Sequence, residues 1–431
     1  MKPYSGYHLQ PKPDGDSFLT DTNPGSPCGQ YLRRYWQPFL LSSELQDVPL
    51  PVRLMGEDLV VFRDRSGRVG LLHRHCAHRG TSLEFGIPAE RGIRCCYHGW
   101  QFDIDGTILD TPAEPASSRI RSNFRQGAYA VREQHGMLFA YMGPPELIPE
   151  LAVYDTYAHP ADNRIAPFRM SLPCNWLQIV ENAADPMHNA FLHAIMSTAG
   201  QFSAAFKVLP VLDYPHTPLG FLSMATRELG DRVYIRASDI ILPNVGQFPS
   251  GGNTAEQEEF VTRPGITRWV VPVDNHNSFY LGFGYVNSYN SRQRPIGPES
   301  YGVGKMPVIG QSADRPYEER QREPGDYDAV VSQGAIANRK NEHLGTSDRG
   351  VAMLRRMLAQ AIKSELAGPP SGLVRTYAHS VVIRCTQEVD LAQFGQRVAA
   401  VFVETASLAP LEREKAAEKR IRRLITQGET A

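Results

Sequence analysis

Two short segments carry the residue types with the clearest chemistry. His75-Cys76-Ala77-His78-Arg79-Gly80 contains a Cys-x-His pair, and Cys95-Cys96-Tyr97-His98-Gly99-Trp100 contains a Cys-x-x-His pair. Each segment offers one thiolate and one imidazole. Two Cys and two His are the donor inventory of a [2Fe–2S] centre in which sulfur holds one iron and nitrogen the other; neutral imidazoles lower the negative charge at their iron and raise the potential. A structural zinc uses the same inventory, but zinc sites usually pair like with like along the chain, whereas both segments here are mixed. Only Cys95 has the Cys-x-x-His spacing, so Cys95 rather than Cys96 is the expected ligand. His73 and His75 read as ordinary loop histidines.

These segments resemble the CxHRG…CxYHGW signature of Rieske proteins, and of Rieske oxygenases in particular. The resemblance implies one [2Fe–2S] cluster per subunit, held by Cys76, His78, Cys95 and His98. Cys96 stands where the family more often has proline.

A second group lies in Asn175–His193, NWLQIVENAADPMHNAFLH. On a regular helix at ~100° per residue, His188 and His193 fall on either side of Asp185 within an arc of about 140°. A modest distortion would aim both imidazoles at one ion, and Pro186 makes local irregularity expected. Asp185 could then accept a hydrogen bond from the non-ligating nitrogen of one histidine. Alone, two histidines five apart more often mark a buried helix. The segment resembles the NWLQ…E…D-x-x-H-x4-H stretch of the α-subunit of Rieske non-haem iron oxygenases, with Asn182 in place of a frequent glycine. In that family two histidines and a distant carboxylate hold one mononuclear Fe(II) per subunit and leave positions open for O2.

The third ligand must come from far along the chain. Residues 323–356 resemble the C-terminal helical region of phthalate-dioxygenase-like members, which places the carboxylate on Asp326. Asp328 competes, and two positions on a helix differ by about 200°, so only one can face the metal. Either could instead be an acidic residue at a helix N-terminus.

The elements that must position these groups are partly legible. Residues 52–55, 59–62 and 69–72 form short β-rich runs separated by turn residues, and Asp105-Gly106 suits a hairpin turn. Strand patterns return over 205–290. Val351, Leu354, Leu358 and Ile362 share one helical face within 326–366, and 411–426 reads as an exposed charged helix. YLRRYWQPFLL reads as a short helix docking on a core, and 291–323 as a long polar loop.

The expected fold is α+β: an N-terminal all-β Rieske domain and a catalytic domain with an antiparallel sheet flanked by helices, of the helix-grip type. The expected division is an arm at 1–45, the cluster domain at 46–150 and the mononuclear-iron domain at 151–431. Lys+Arg 45 against Asp+Glu 46 gives no global charge for nucleic acid or an anionic membrane. Six cysteines in 431 residues are too sparse for a disulfide scaffold, and Cys28, Cys174 and Cys385 read as structural thiols. With no apolar leader or long apolar run, a cytoplasmic location is expected.

The resemblance implies a terminal oxygenase that uses O2 and electrons from a separate NAD(P)H-dependent reductase or ferredoxin. No dinucleotide fingerprint or ferredoxin-type cysteine run appears in this chain. It further implies a homotrimer or hexamer of trimers, with Asp185 bridging the cluster of one subunit to the iron of the next. Similarity to phthalate dioxygenase and to vanillate and dehydrodivanillate O-demethylases points to a carboxylated, methoxylated aromatic substrate, with O-demethylation favoured over ring hydroxylation. Arginines of 201–300 are expected mostly at the surface, although Arg236 or Arg268 could meet a substrate carboxylate. Two readings compete: an electron-transfer protein with a binding module, and a two-zinc structural protein.

Overall fold

The computed structural model describes residues 17–157, 161–196, 202–249, 255–288, 296–364, 372–385 and 388–426. Of the N-terminal arm, residues 1–16 therefore lie outside the described residues. The arm's aromatic run splits in two. A helix Pro27–Arg33, capped by the Ser26 hydroxyl, stops before Trp36, and Gln37–Leu41 is a wholly buried strand. Pro38 has no N–H to give to a helix and sits on a sheet edge, where proline is tolerated.

That strand is the edge of a six-stranded antiparallel sheet in the order Gln37–Leu41, Met137–Tyr141, Ala128–Gln134, Val69–His73, Glu57–Arg63, Leu50–Leu54. The β-rich runs read from the sequence thus pair with each other. A second, four-stranded sheet of very short strands follows: Ile87–Pro88, Ile93–Arg94, Gln101–Phe102 and Ile108–Asp110. Gly106 closes its last hairpin at φ +80, a conformation that costs glycine nothing.

The remainder is built on a long antiparallel sheet. Its main order is Arg164–Leu172, Ser278–Val286, Pro264–Pro272, Val245–Pro249, Arg232–Ile241, Gly220–Leu229, Val211–Asp213, and His379–Arg384 pairs with Arg232–Ala237. Alternation along the strands separates two faces. Leu222, Met224, Ile235 and Ala237 pack under the helices Leu391–Thr405 and Pro410–Thr426 with Phe394, Val398 and Phe402. Tyr234 and Val382 face the other way, onto Ala194 and Phe206. The first of those helices was not expected. The second is not wholly exposed: Ala417 and Ile421 are buried.

The helix Trp176–Ala184 lies on the second face. Asn175 caps it, accepting from Leu177 N at 3.2 Å while its amide donates to the carbonyls of Thr20 and Asn275. Behind it stand the helices Asp326–Val331 and Arg349–Ser364, two elements where one periodic stretch was read. The expected polar loop contains a helix at Tyr317–Arg322. No helix among the described residues is long and apolar enough to cross a membrane.

Candidate metal centres

The two Cys/His segments form matched turns. In each, the glycine four residues after the cysteine has positive φ, +77 at Gly80 and +74 at Gly99, and donates its N–H back to the cysteine carbonyl. Side chains outside the turns pin them. Gln126 accepts from Ala77 N at 2.7 Å and donates to the carbonyls of His73 and His75; Arg94 holds the Gly99 carbonyl and Asp110. The turns sort their donors in space in a way their sequences do not. The Cys76 and Cys95 thiols, both buried, lie within hydrogen-bonding reach of each other, and the His78 and His98 rings stand 4.7 Å apart. Trp100 stacks on His78 at 4.6 Å. Burial, with the neighbouring Cys95, pushes the Cys76 thiol up to about 11 against a smaller pull from the His78 N–H. A sulfur pair beside a nitrogen pair fits two irons with different ligands. Cys96 is exposed. His75 turns its Nδ1 to the Gly80 carbonyl, and His73 lies 3.4 Å from Glu57.

Asp185, His188 and His193 do not share one helix, contrary to expectation. The helix ends at Ala184, and Asp185 is extended at φ −107, ψ 94, as a residue before proline prefers. A single turn His188–Ala190 leads into a π-helical turn, Phe191–Ile195, closed by Met196 N to Phe191 O. The wider turn reduces the angle between residues five apart. The two imidazoles meet with centroids at 5.3 Å, and Asp326 completes the group: Oδ1 is 3.1 Å from His193 Nε2 and 3.5 Å from His188 Nε2. One donor atom from each residue lies within 4.8 Å of the others. This spacing suits three ligands on one face of a single ion.

Asp326 is held on both oxygens. Asn182 donates to Oδ1 at 3.1 Å and Gln311 to Oδ2 at 2.6 Å. Burial raises its carboxyl, but His193, His188 and Gln311 outweigh that and hold it well below the usual carboxylate range. Gln178 fixes the distance between helices by donating to the carbonyls of Val330 and Gly334 and accepting from Ala337 N. Asp328 points elsewhere: it accepts from Gly325 N at 3.0 Å and pairs with Arg320 at 2.6 Å. At His188 Nδ1 the partner is the backbone carbonyl of Asp185, whereas the Asp185 carboxylate stands 3.8 Å away and accepts from Met187 N. Among the described residues no hydrogen bond joins Asp185 to His78 or His98 of the same chain.

A model of the Rieske [2Fe-2S] domain matches residues 35–143, and one described as LigXa C-terminal domain like matches 140–207. The oxygenase subunit of the tert-butanol monooxygenase / tert-amyl alcohol desaturase of Aquincola tertiaricarbonis is 45% identical over 383 residues, covering 85% of this chain and 81% of the relative. The phenoxybenzoate dioxygenase subunit alpha of Ectopseudomonas oleovorans is 38% identical over 396 residues, covering 87% and 91%. The chain belongs to the Rieske non-haem iron oxygenases, as an oxygenase (alpha) subunit. The oxygenase in the carbazole-bound oxygenase–ferredoxin complex of carbazole 1,9a-dioxygenase shares its fold, with a TM-score of 0.53 and 20% identity over 80% of this chain and 96% of that one.

A Rieske oxygenase subunit is an oxidoreductase that carries a [2Fe–2S] cluster and a mononuclear iron. In this one the sequence passed over Gln311 and Gln178 and treated Asn182 only as a departure from family glycine. The helical spacing of Gln178 and Asn182, four apart on the face of the broken helix, was the available signal for two of them. The oxygenase also buries arginines that were expected at the surface. Arg227 and Arg268 lie in the central sheet with 1% and 6% of their surface exposed.

Proposed function

We propose that this Rieske oxygenase subunit oxidises a carboxylated, methoxylated aromatic ring by O-demethylation, with Cys76, His78, Cys95 and His98 holding the cluster and His188, His193 and Asp326 the mononuclear iron. The observation that carries the reading is the convergence of two imidazole Nε2 atoms and one carboxylate oxygen within 4.8 Å, beside a second, sulfur-and-imidazole site. When bound, the cluster supplies electrons one at a time and the iron activates O2 next to the substrate. The protein's part is positional. The Asp185 carbonyl engages His188 Nδ1, which leaves Nε2 directed at the metal position. His193 and His188, with Gln311, hold Asp326 ionised against its burial, and Asn182 and Gln311 orient it. Asp185 then joins the two centres across a subunit boundary in a homotrimer or a hexamer of trimers, and a reductase or ferredoxin delivers the electrons. An aromatic acid is supported by the phenoxybenzoate relative, and O-demethylation by the resemblance to vanillate and dehydrodivanillate enzymes. Demethylation and ring oxidation differ in which substrate carbon is held nearest the oxidant.

The 45% identity to a tert-butanol monooxygenase favours a second reading, oxidation of a small tertiary alcohol. Turnover with a surrogate reductase separates the two. With methoxylated benzoates, formaldehyde should appear in step with oxygen uptake. A diol product would replace demethylation by ring dihydroxylation, and faster oxidation of tert-butanol than of any aromatic acid would select the second reading.

A further inference from the structure

Arg268 sits in the middle of the central sheet on the strand Pro264–Pro272, 6% exposed. Its guanidinium lies 4.3 Å from the ring centroids of both Phe248 and Tyr280. Among the described residues it makes no hydrogen bond or ion pair. Arg169, on the strand Arg164–Leu172, pairs with Glu44, and Arg263, just before the strand of Arg268, pairs with Glu414. The helix Trp176–Ala184, whose Asn182 reaches Asp326, packs on the strand that carries Arg268, and burial draws the guanidinium down to about 10 against the opposing pull of Asp326. Asp326 is already engaged by both histidines, Asn182 and Gln311. Among the described residues Arg227 and Arg236 also lack an acid, but they lie over Phe206.

The residues directly across from Arg268 on both neighbouring strands are glycines, Gly246 and Gly282. A Cβ on Gly246 would fall 2.9 Å from the Phe248 ring, and one on Gly282 would fall 2.4 Å from the Thr267 carbonyl oxygen and 2.8 Å from the Phe168 ring. Glycine at 246 leaves room for the Phe248 ring, which together with Tyr280 flanks the guanidinium by cation–π contact. Burying an unpaired cation is costly unless an anion neutralises it. A guanidinium held rigid and kept free of acids is preorganised for a planar, bidentate anion.

Building on the aromatic-acid reading, we infer that Arg268 is the carboxylate anchor of the substrate site, holding the acid end of the ring so that the rest of the substrate lies toward His188, His193 and Asp326. Arg268 is thereby a specificity-determining residue. A neutral analogue loses the paired hydrogen bonds and leaves the cation buried alone, so discrimination between acid and amide should be large.

Equilibrium dialysis of the holoenzyme measures this without turnover, using para-methoxybenzoate, meta-methoxybenzoate and phenoxybenzoate, each against its carboxamide. Wild type should bind at least one acid roughly 100-fold more tightly than its amide, and Arg268→Met should erase that preference by weakening the acid alone. Arg268→Lys should recover part of it, since an ammonium keeps the charge but not the fork. Arg268→Gln replaces the Met variant if that fails to keep the visible cluster spectrum. Undiminished acid binding in the Met or Gln variant would remove Arg268 from the site and leave the aromatic-acid reading standing. Equal binding of acid and amide by wild type, or no binding of any acid, would overturn both.

Discussion

The two candidate metal centres are built on opposite plans. The cluster site takes four donors from two turns that repeat one design, a cysteine whose carbonyl receives the N–H of a left-handed glycine four residues later. The mononuclear site takes two donors from a broken helix and a third from a segment 133 residues beyond His193. In the first, ligand spacing is set by local turn geometry. In the second it depends on tertiary packing, chiefly Gln178 bridging to the Asp326–Val331 helix and Asn182 reaching Asp326 directly. A local site should therefore fail one ligand at a time, while the composite site should also fail through residues that touch no metal.

The largest effect that could break this contrast is at the cluster. Cys95→Ser should abolish the visible spectrum and all turnover, while exposed Cys96→Ser should leave both intact; loss of the spectrum in the Cys96 variant would reverse the ligand choice. Next comes Asp185→Asn, which should keep cluster and iron yet lower turnover by roughly 100-fold or more, in keeping with loss of a group that couples two centres. Full activity in that variant would remove the proposed bridge.

The opposite face of the central sheet sharpens the comparison, because there burial acts on a carboxylate with no histidine beside it. Asp239 is fully buried; Oδ2 accepts from Tyr377 N, Oδ1 has no hydrogen-bond partner among the described residues, and desolvation pushes the group up to about 7. The folded state then holds a proton that the unfolded chain releases from about pH 4, so this contribution to stability falls as pH rises from about 4 to 7. The stability difference between Asp239→Asn and wild type, measured by denaturant unfolding, should grow across that window, reaching on the order of a few kcal/mol above pH 8. A difference independent of pH would show that Asp239 stays ionised. The smallest effect is expected at Asp328. Losing its cap on Gly325 and its pair with Arg320 in Asp328→Ala should cost about 1 kcal/mol in denaturant unfolding while the iron content stays unchanged.

What the sequence revealed follows the same division. The two matched Cys/His turns were readable because turns of fixed length fix Cys-to-His spacing. The long strands of the central sheet were readable because one face is apolar. His188 and His193 are neighbours as read but do not lie on one helix, since periodicity cannot announce a π-helical turn and only Pro186 hinted at a break. Asp326 and Asp328 could not be separated by spacing alone, and what parts them is Asn182 and Gln311 on one side and Arg320 on the other. The helix Leu391–Thr405 went unread although it covers the far face of the sheet. Arg268 was named only beside Arg236 as able to meet a substrate carboxylate, in a region whose arginines were mostly expected at the surface, because burial of a central-strand cation has no sequence signature.

Iron content per chain, measured with the reduced-cluster EPR signal, tests the central claim most directly. Wild type should hold three irons, and Asp326→Ala should hold two with the EPR signal unchanged. Three irons retained in that variant, or loss of the cluster signal with the iron, would contradict a separate mononuclear site completed by Asp326.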